Sequence, residues 1–373
     1  VASGRGTLDT ARFGRDLITR PAQWLLVPAS WPSADVRVRF ALPDGMRVAT
    51  GWAPYERRGQ TFHALEKTAG YPQTRVAFGR FEPLVVRSGE AKLDVAILDA
   101  PHRITREGAV RWLSGAVDAV SRLYDGFPVR HACLLVIPRA PGRGRPVTFG
   151  RAMRAGGSVV DLVVSPAARD ADFVGDWMTV HELTHLGMPW HDDPSRWWGE
   201  GFVAYYQDVL RARMGWTDER AAWQRIESWM DRGRTSGGRG TLLDDSTRMT
   251  PRYAYHRVYY GGAAIAFLID VELRRRTGGA KSLDDVMRIL NRIRELDREG
   301  RSWDGLDVLA KVDETLGDAV CVPIASRWLR SRAFPDVRSA QRELGIVVRN
   351  GQVSLDDRAP RAADRRAIMR FPD

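Results

Sequence analysis

The stretch HELTHLGMPWHDDPSRWWGEG, from His181 to Gly201, holds side chains whose types and spacing suit metal chemistry. A four-residue step on an α-helix turns the chain by about 400°, so His181 and His185 project from one face, one turn apart. Their imidazoles could then meet one Zn²⁺ at roughly 2.0–2.1 Å. Glu182 sits beside the first histidine, where it can reach an ion-activated water without being a ligand. Zinc brings the pKa of such a water towards neutrality, and a carboxylate can take its proton and pass it to a leaving amine. The short pattern HExxH also arises by chance. Here DWMTVHELTHLGM surrounds it with Trp177, Val180, Leu183 and Leu186 at helical spacing, which would pack that helix against the body of the protein.

A catalytic site of this kind needs a third protein ligand, and two candidates follow. His191 lies six residues after His185, as in the pattern HExxHxxGxxH. That pattern turns at a glycine three residues past the second histidine; here Met188 holds that place, the glycine is Gly187, and no Met-turn follows. Glu200 lies fifteen residues after His185. Asp193-Pro194 reads as a cap with proline at the first helical position, starting a helix through Tyr206 and Leu210. A reversal after Met188 would return that helix beside the first, giving a His₂Glu set with an open position for water. Trp197, Trp198, Phe202, Tyr205 and Tyr206 make the segment aromatic and buried, and a carboxylate there needs a cation.

HELTH, WWGEGFVAYYQ and VYYGGAAIAFLIDVELRRRTGGAKSLDDVM together resemble the gluzincin metallopeptidases, in particular the glycyl aminopeptidase family allied to aminopeptidase N. The resemblance covers about residues 100–300. It implies Glu200 as the third zinc ligand, Tyr259 as hydrogen-bond donor to the tetrahedral oxyanion, Gly262 as the glycine after that tyrosine, and Asp270 as the acid of the same helix. Tyr260 and His256 are the neighbours that could take the place of Tyr259. Three departures stand out. The segment between the second histidine and the glutamate is shorter than the family's, and Gly261 replaces the usual lysine. The family's Gly-Gly-x-Glu-His motif, which holds a substrate's amino terminus, aligns with GGSVV. Gly156, Gly157 and Ser158 remain as substrate-binding candidates, but Val159 and Val160 stand where the acid and base would be.

The elements that must carry these residues read as an α+β chain. "ADVRVRFALPDGMRVATGW" alternates with period two around Pro43-Asp44-Gly45, a hairpin signature. Strand-like alternation continues to about residue 95, giving an N-terminal antiparallel β-sandwich-like domain over residues 1–95. From Ile104 the apolar period becomes helical and stops at Gly126-Phe127-Pro128. HACLLVIPR and SVVDLVVSP read as strands flanking a loop, APGRGRPVTFGRAMRAGG. Helices dominate after Phe173, and GIVVRNGQVSLDD forms a small closing hairpin. A thermolysin-like catalytic domain over 96–275 and a C-terminal helical region over 276–373 complete the expected architecture. The strand GGSVVDLVVSP is expected to take an extended peptide by β-augmentation.

Composition bounds the alternatives. The net charge is +11, yet only Lys67, Lys92, Lys281 and Lys311 of the 57 basic residues are lysines. Arginine spread evenly along the chain does not form a nucleic-acid patch, and no such role is expected. Cys133 and Cys321 lie in apolar surroundings and read as buried free thiols. No apolar run reaches the roughly 20 residues of a membrane span. The expected function is a zinc peptidase acting on peptide or protein substrates. Its rivals are a peptide-binding protein of the same fold and a metzincin-like endopeptidase using His191. A periplasmic or secreted location is expected if a leader is removed, a cytoplasmic one otherwise.

Overall fold

The computed structural model describes residues 10–26, 36–65, 74–139, 144–154, 156–238, 240–296 and 302–372. They fall into two compact units. One draws on Val1–Ser121 and Gly126–Leu186, the other on Arg122–Asp125, Gly187–Asp297 and Arg301–Asp373.

The first unit opens with strands β1 (Thr10–Phe13), β2 (Asp16–Thr19), β3 (Val36–Val38), β4 (Arg47–Thr50), β5 (Ala53–Arg57), β6 (Gln60–Leu65) and β7 (Val76–Gly79). They build two antiparallel sheets, ordered β1-β2-β7-β4 and β3-β6-β5. The expected hairpin across Pro43-Asp44-Gly45 is not made by β3 and β4. The turn itself forms, with Met46 N–H donating to Pro43 O at 3.0 Å, but β3 pairs with β6 and β4 with β7. A tight turn fixes only a reversal; each strand then pairs where it buries more, and β4 meets Val76 and Ala77, both fully buried.

Next come β8 (Leu84–Ser88), β9 (Ala91–Ile97), α1 (Arg106–Tyr124), β10 (His131–Pro138), β11 (Val147–Met153), β12 (Val159–Val164) and α2 (Trp177–Thr184). The sheet order is β11-β12-β10-β9-β8, with β9, β10 and β12 parallel and the two outer strands antiparallel. Every residue of β10 and β12 is buried, which explains why both are apolar apart from His131 at the start of β10 and Asp161 within β12. Two expectations change here. The stretch read as a loop contains β11, whose Gly150 and Arg151 mask an alternation visible in its burial. And β12, expected to receive a peptide, is hydrogen-bonded on both sides, by β10 and β11. Among the described residues the sheet's edge on this side is β11.

The second unit is helical: α3 (Arg196–Arg213), α4 (Glu219–Thr235), α5 (Leu242–Thr247), α6 (Met249–Arg252), α7 (Tyr255–Thr277), α8 (Leu283–Leu296), α9 (Gly305–Leu316), α10 (Cys321–Leu329) and α11 (Arg338–Glu343), then β13 (Ile346–Arg349), β14 (Gln352–Leu355) and α12 (Ala362–Ile368). The closing hairpin is as expected: β13 and β14 pair through Asn350 and Gly351, at φ 49° and 76°. α3 and α7 form its densest packing. Both cysteines are free and buried, and no helix among the described residues is long and apolar enough to cross a membrane.

Candidate metal centre

Helix α2 is fixed at its start. The Asp176 carboxylate accepts from Thr179 N–H and Thr179 Oγ1, each at 2.8 Å, and Trp112 Nε1 donates to that same Oγ1 at 3.1 Å. Val180, Leu183 and Leu186 are fully buried, as their spacing requires. Trp177 departs from that set: it is half-buried, its ring edge-on to His181 at 6.2 Å between centroids. The α-helical hydrogen bonding ends at Thr184, and His185–Gly187 continue as a 3-10 turn.

This geometry brings the two histidine rings together. His181 Nε2 and His185 Nε2 lie 3.2 Å apart, with ring planes at 78°. Two nitrogens bound to one tetrahedral zinc at 2.0–2.1 Å are separated by about 3.3 Å, so the pair fits that ion. Glu182, about 100° round the helix from His181, reaches the sheet. Its Oε2 accepts from the Ala152 N–H of β11 at 2.8 Å, and a Cβ at Gly150 would run into its side chain. The carboxylate is thus buried and held by backbone. Gly150 and Ala152 were not singled out by the sequence; the only signal was a glycine in an otherwise alternating VTFGRAM.

In the second unit, Asp192 rather than Asp193 is the cap: it accepts from Ser195 N–H at 3.1 Å and starts a 3-10 turn, Asp193–Ser195, that contains Pro194. Helix α3 follows directly. From Trp197 to Leu210 every residue is buried except Glu200, which is half-buried. The glycines flanking Glu200 are steric necessities. A Cβ at Gly199 would overlap the His191 ring, and one at Gly201 would overlap the backbone of Gly262. His191 packs on Gly199, edge-on to Trp198 at 5.6 Å, with Nδ1 3.0 Å from Asp192 O. On α7, Tyr260 stacks between Trp229 and His256, at 5.3 and 5.8 Å, while Tyr259, the residue before it, is half-buried. Asp270 is a structural acid, accepting from Tyr205 Oη at 3.0 Å and Arg274 Nε at 2.9 Å.

Gly156, Gly157 and Ser158 form a buried turn before β12. Gly157 has φ 114° and abuts Gly51 and Trp52, Trp52 Nε1 donates to Gly156 O, and Ser158 O accepts from Cys133 N–H at 2.9 Å. Val159 and Val160 belong to an internal strand and are fully buried.

No family model matches the sequence, and no curated protein matches it. Solved structures do. An aminopeptidase N family protein from Idiomarina loihiensis is similar with a TM-score of 0.72 at 13% identity, over 90% of this chain and 62% of that one. An M1 zinc metallopeptidase from Deinococcus radiodurans is similar at 0.55 and 16% identity, over 87% of this chain and 72% of that one. Yeast LTA4 hydrolase in complex with bestatin is similar at 0.54 and 14%, over 86% and 51%. The chain spans less than two thirds of the length of the first and third of these proteins. The fold is that of the aminopeptidase N-like gluzincins, with antiparallel β sheets before a mixed α/β region and C-terminal helices.

Proposed function

We propose that this chain is a zinc-dependent peptidase in which His181, His185 and Glu200 hold the ion. The observation that carries the reading is the 3.2 Å approach of the two Nε2 atoms on a capped, packed helix. The triad is further supported as the group of His, Cys, Asp and Glu side chains able to hold a metal among the described residues, a group without His191.

Bound zinc would acidify a water and polarise a scissile carbonyl. Glu182, anchored through Oε2, accepts the water's proton and delivers it to the leaving nitrogen. Tyr259 donates to the oxyanion. The substrate lies in extended form along β11. Ala152 N–H points away from β12, and the alternation of an antiparallel ladder puts the N–H and C=O of Gly150 on that same outward side. That strand carries no acid, so nothing on it holds a free amino terminus, and cleavage is not confined to amino-terminal residues.

Metal analysis and a peptide-library digest read by mass spectrometry test this. The wild type carries stoichiometric zinc and cleaves unstructured peptides. Glu182→Gln keeps the zinc and loses cleavage, Glu200→Ala loses zinc, and His191→Ala keeps both. Equal cleavage by wild type and Glu182→Gln, or zinc lost only with His191→Ala, would overturn the assignment. A protein that only binds peptides would cleave none.

A further inference from the structure

The proposed substrate strand β11 carries an arginine and no acid. Residues 126–160 contain Arg130, Arg139, Arg143, Arg145, Arg151 and Arg154 and no Asp or Glu. Within them, β11 divides its side chains between two faces. Gly150 and Ala152 face Glu182, while Arg151 lies on the other face with Phe149 and Met153. Met153 is buried in the core shared with Ile18, Ala49 and Ala77, whereas Phe149 and Arg151 are exposed. Just before β11, the exposed Arg145 lies over the Trp177 ring at 5.9 Å, and that ring is the one edge-on to His181. Neither Arg145 nor Arg151 has an ion pair among the described residues.

A strand added to β11 places alternate side chains on the Phe149–Arg151 face, with Cβ atoms about 4.5–5.5 Å from their cross-strand neighbours. A carboxylate there would reach the Arg151 guanidinium with its stem along Phe149, and a cation there would be repelled. We infer that β11 selects peptides bearing acidic side chains next to the scissile bond, with Arg151 as the specificity-determining residue and Arg145 reinforcing it. This inference rests on the peptidase reading for the site but is tested apart from it.

The test uses matched peptides with Glu, Gln or Lys flanking the cleaved bond. Binding to the Glu182→Gln protein is followed by fluorescence anisotropy, and cleavage by the wild type by KM and kcat. Expected is an order of Glu over Gln over Lys, each step about fivefold in Kd and KM and shrinking with salt. Arg151→Glu inverts the order with zinc content unchanged, and Arg145→Gln narrows it. Equal binding of the Glu and Gln peptides, or an order unaltered by Arg151→Glu, overturns the inference and leaves the peptidase reading standing. The expected binding order without any cleavage by the wild type sinks the peptidase reading instead.

Discussion

Tyr259 and Tyr260 are adjacent on α7, yet their surroundings differ. Tyr260 is spent in a stack, its ring 17° from the Trp229 plane and 22° from that of His256. Consecutive helical residues point about 100° apart, so Tyr259 cannot join that stack and presents its hydroxyl elsewhere. A donor used only when the oxyanion develops should affect kcat and little else. Tyr259→Phe is therefore expected to lower kcat about 10²–10³-fold with KM and zinc content near wild type, and Tyr260→Phe to leave kcat within a few-fold. Steady-state kinetics decide it, and a loss of kcat confined to Tyr260→Phe would reassign the role. At this scale the sequence was most legible for His181, Glu182 and His185, because their relation is local to one helix turn. The burial of the helix around Glu200 was legible from its aromatic neighbours. The packing of His191 on Gly199 was not legible, since it depends on a tertiary fold-back.

At the scale of elements, the crossing of α3 and α7 places Glu200 and Tyr259 on their common framework. It is a glycine-to-glycine contact. A Cβ on Gly262 would overlap the Trp197 carbonyl oxygen, and one on Gly201 the backbone of Gly262, so the helices approach backbone to backbone. Backbone cannot swing aside as a side chain can. Gly262→Ala is expected to cost about 1–3 kcal/mol and to lower zinc affinity, because Glu200 adjoins Gly201. Gly261→Ala is the control: the nearest atoms to its Cβ would be those of the flexible Leu242 side chain, at 3.0 Å or more. Thermal melts and zinc titration compare the two; equal losses would mean the crossing is not the constraint. The helices carrying the site were legible from their 3.6-residue period. Strands were legible only where their partners did not matter. β10 and β12 announce themselves as apolar runs, whereas the pairing of β4 with β7 rests on contacts distant in sequence. The edge strand β11 was hidden because an exposed edge has no apolar run to display and carries glycine and arginine where a core strand would carry valine.

Over the whole molecule, the excess of arginine looks different once its partners are known. In the helical unit guanidiniums neutralise carboxylates that could not otherwise be buried: Arg213 binds Asp284 at 2.8 Å, Arg257 binds Asp245 at 2.9 Å, Arg274 binds Asp270 at 2.9 Å, and Arg211 and Arg225 share Asp208 at 2.8 and 2.7 Å. At Asp284 burial pushes the carboxyl up, but the charge of Arg213 and the hydrogen bonds from Arg213 and Tyr206 outweigh it and hold the group below its ordinary value of 3.8. Burial, and then the facing Asp284, raises the Tyr206 phenol, which therefore stays a donor at every pH of interest. A carboxyl whose folded pKa lies below its unfolded one adds stability that is complete above the unfolded value and is lost as pH falls through the folded one. Urea midpoints should therefore hold from neutrality down to about pH 5 and decline steeply below about pH 4. Asp284→Asn leaves Arg213 buried without its counter-charge and should cost about 3–5 kcal/mol at pH 7. That variant should also lose part of the acid-limb slope, since one depressed carboxyl no longer titrates. A variant as stable as wild type at pH 7, or one whose slope below about pH 4 is unchanged, would show that the Arg213–Asp284 pair does not contribute to the acid limit of the fold.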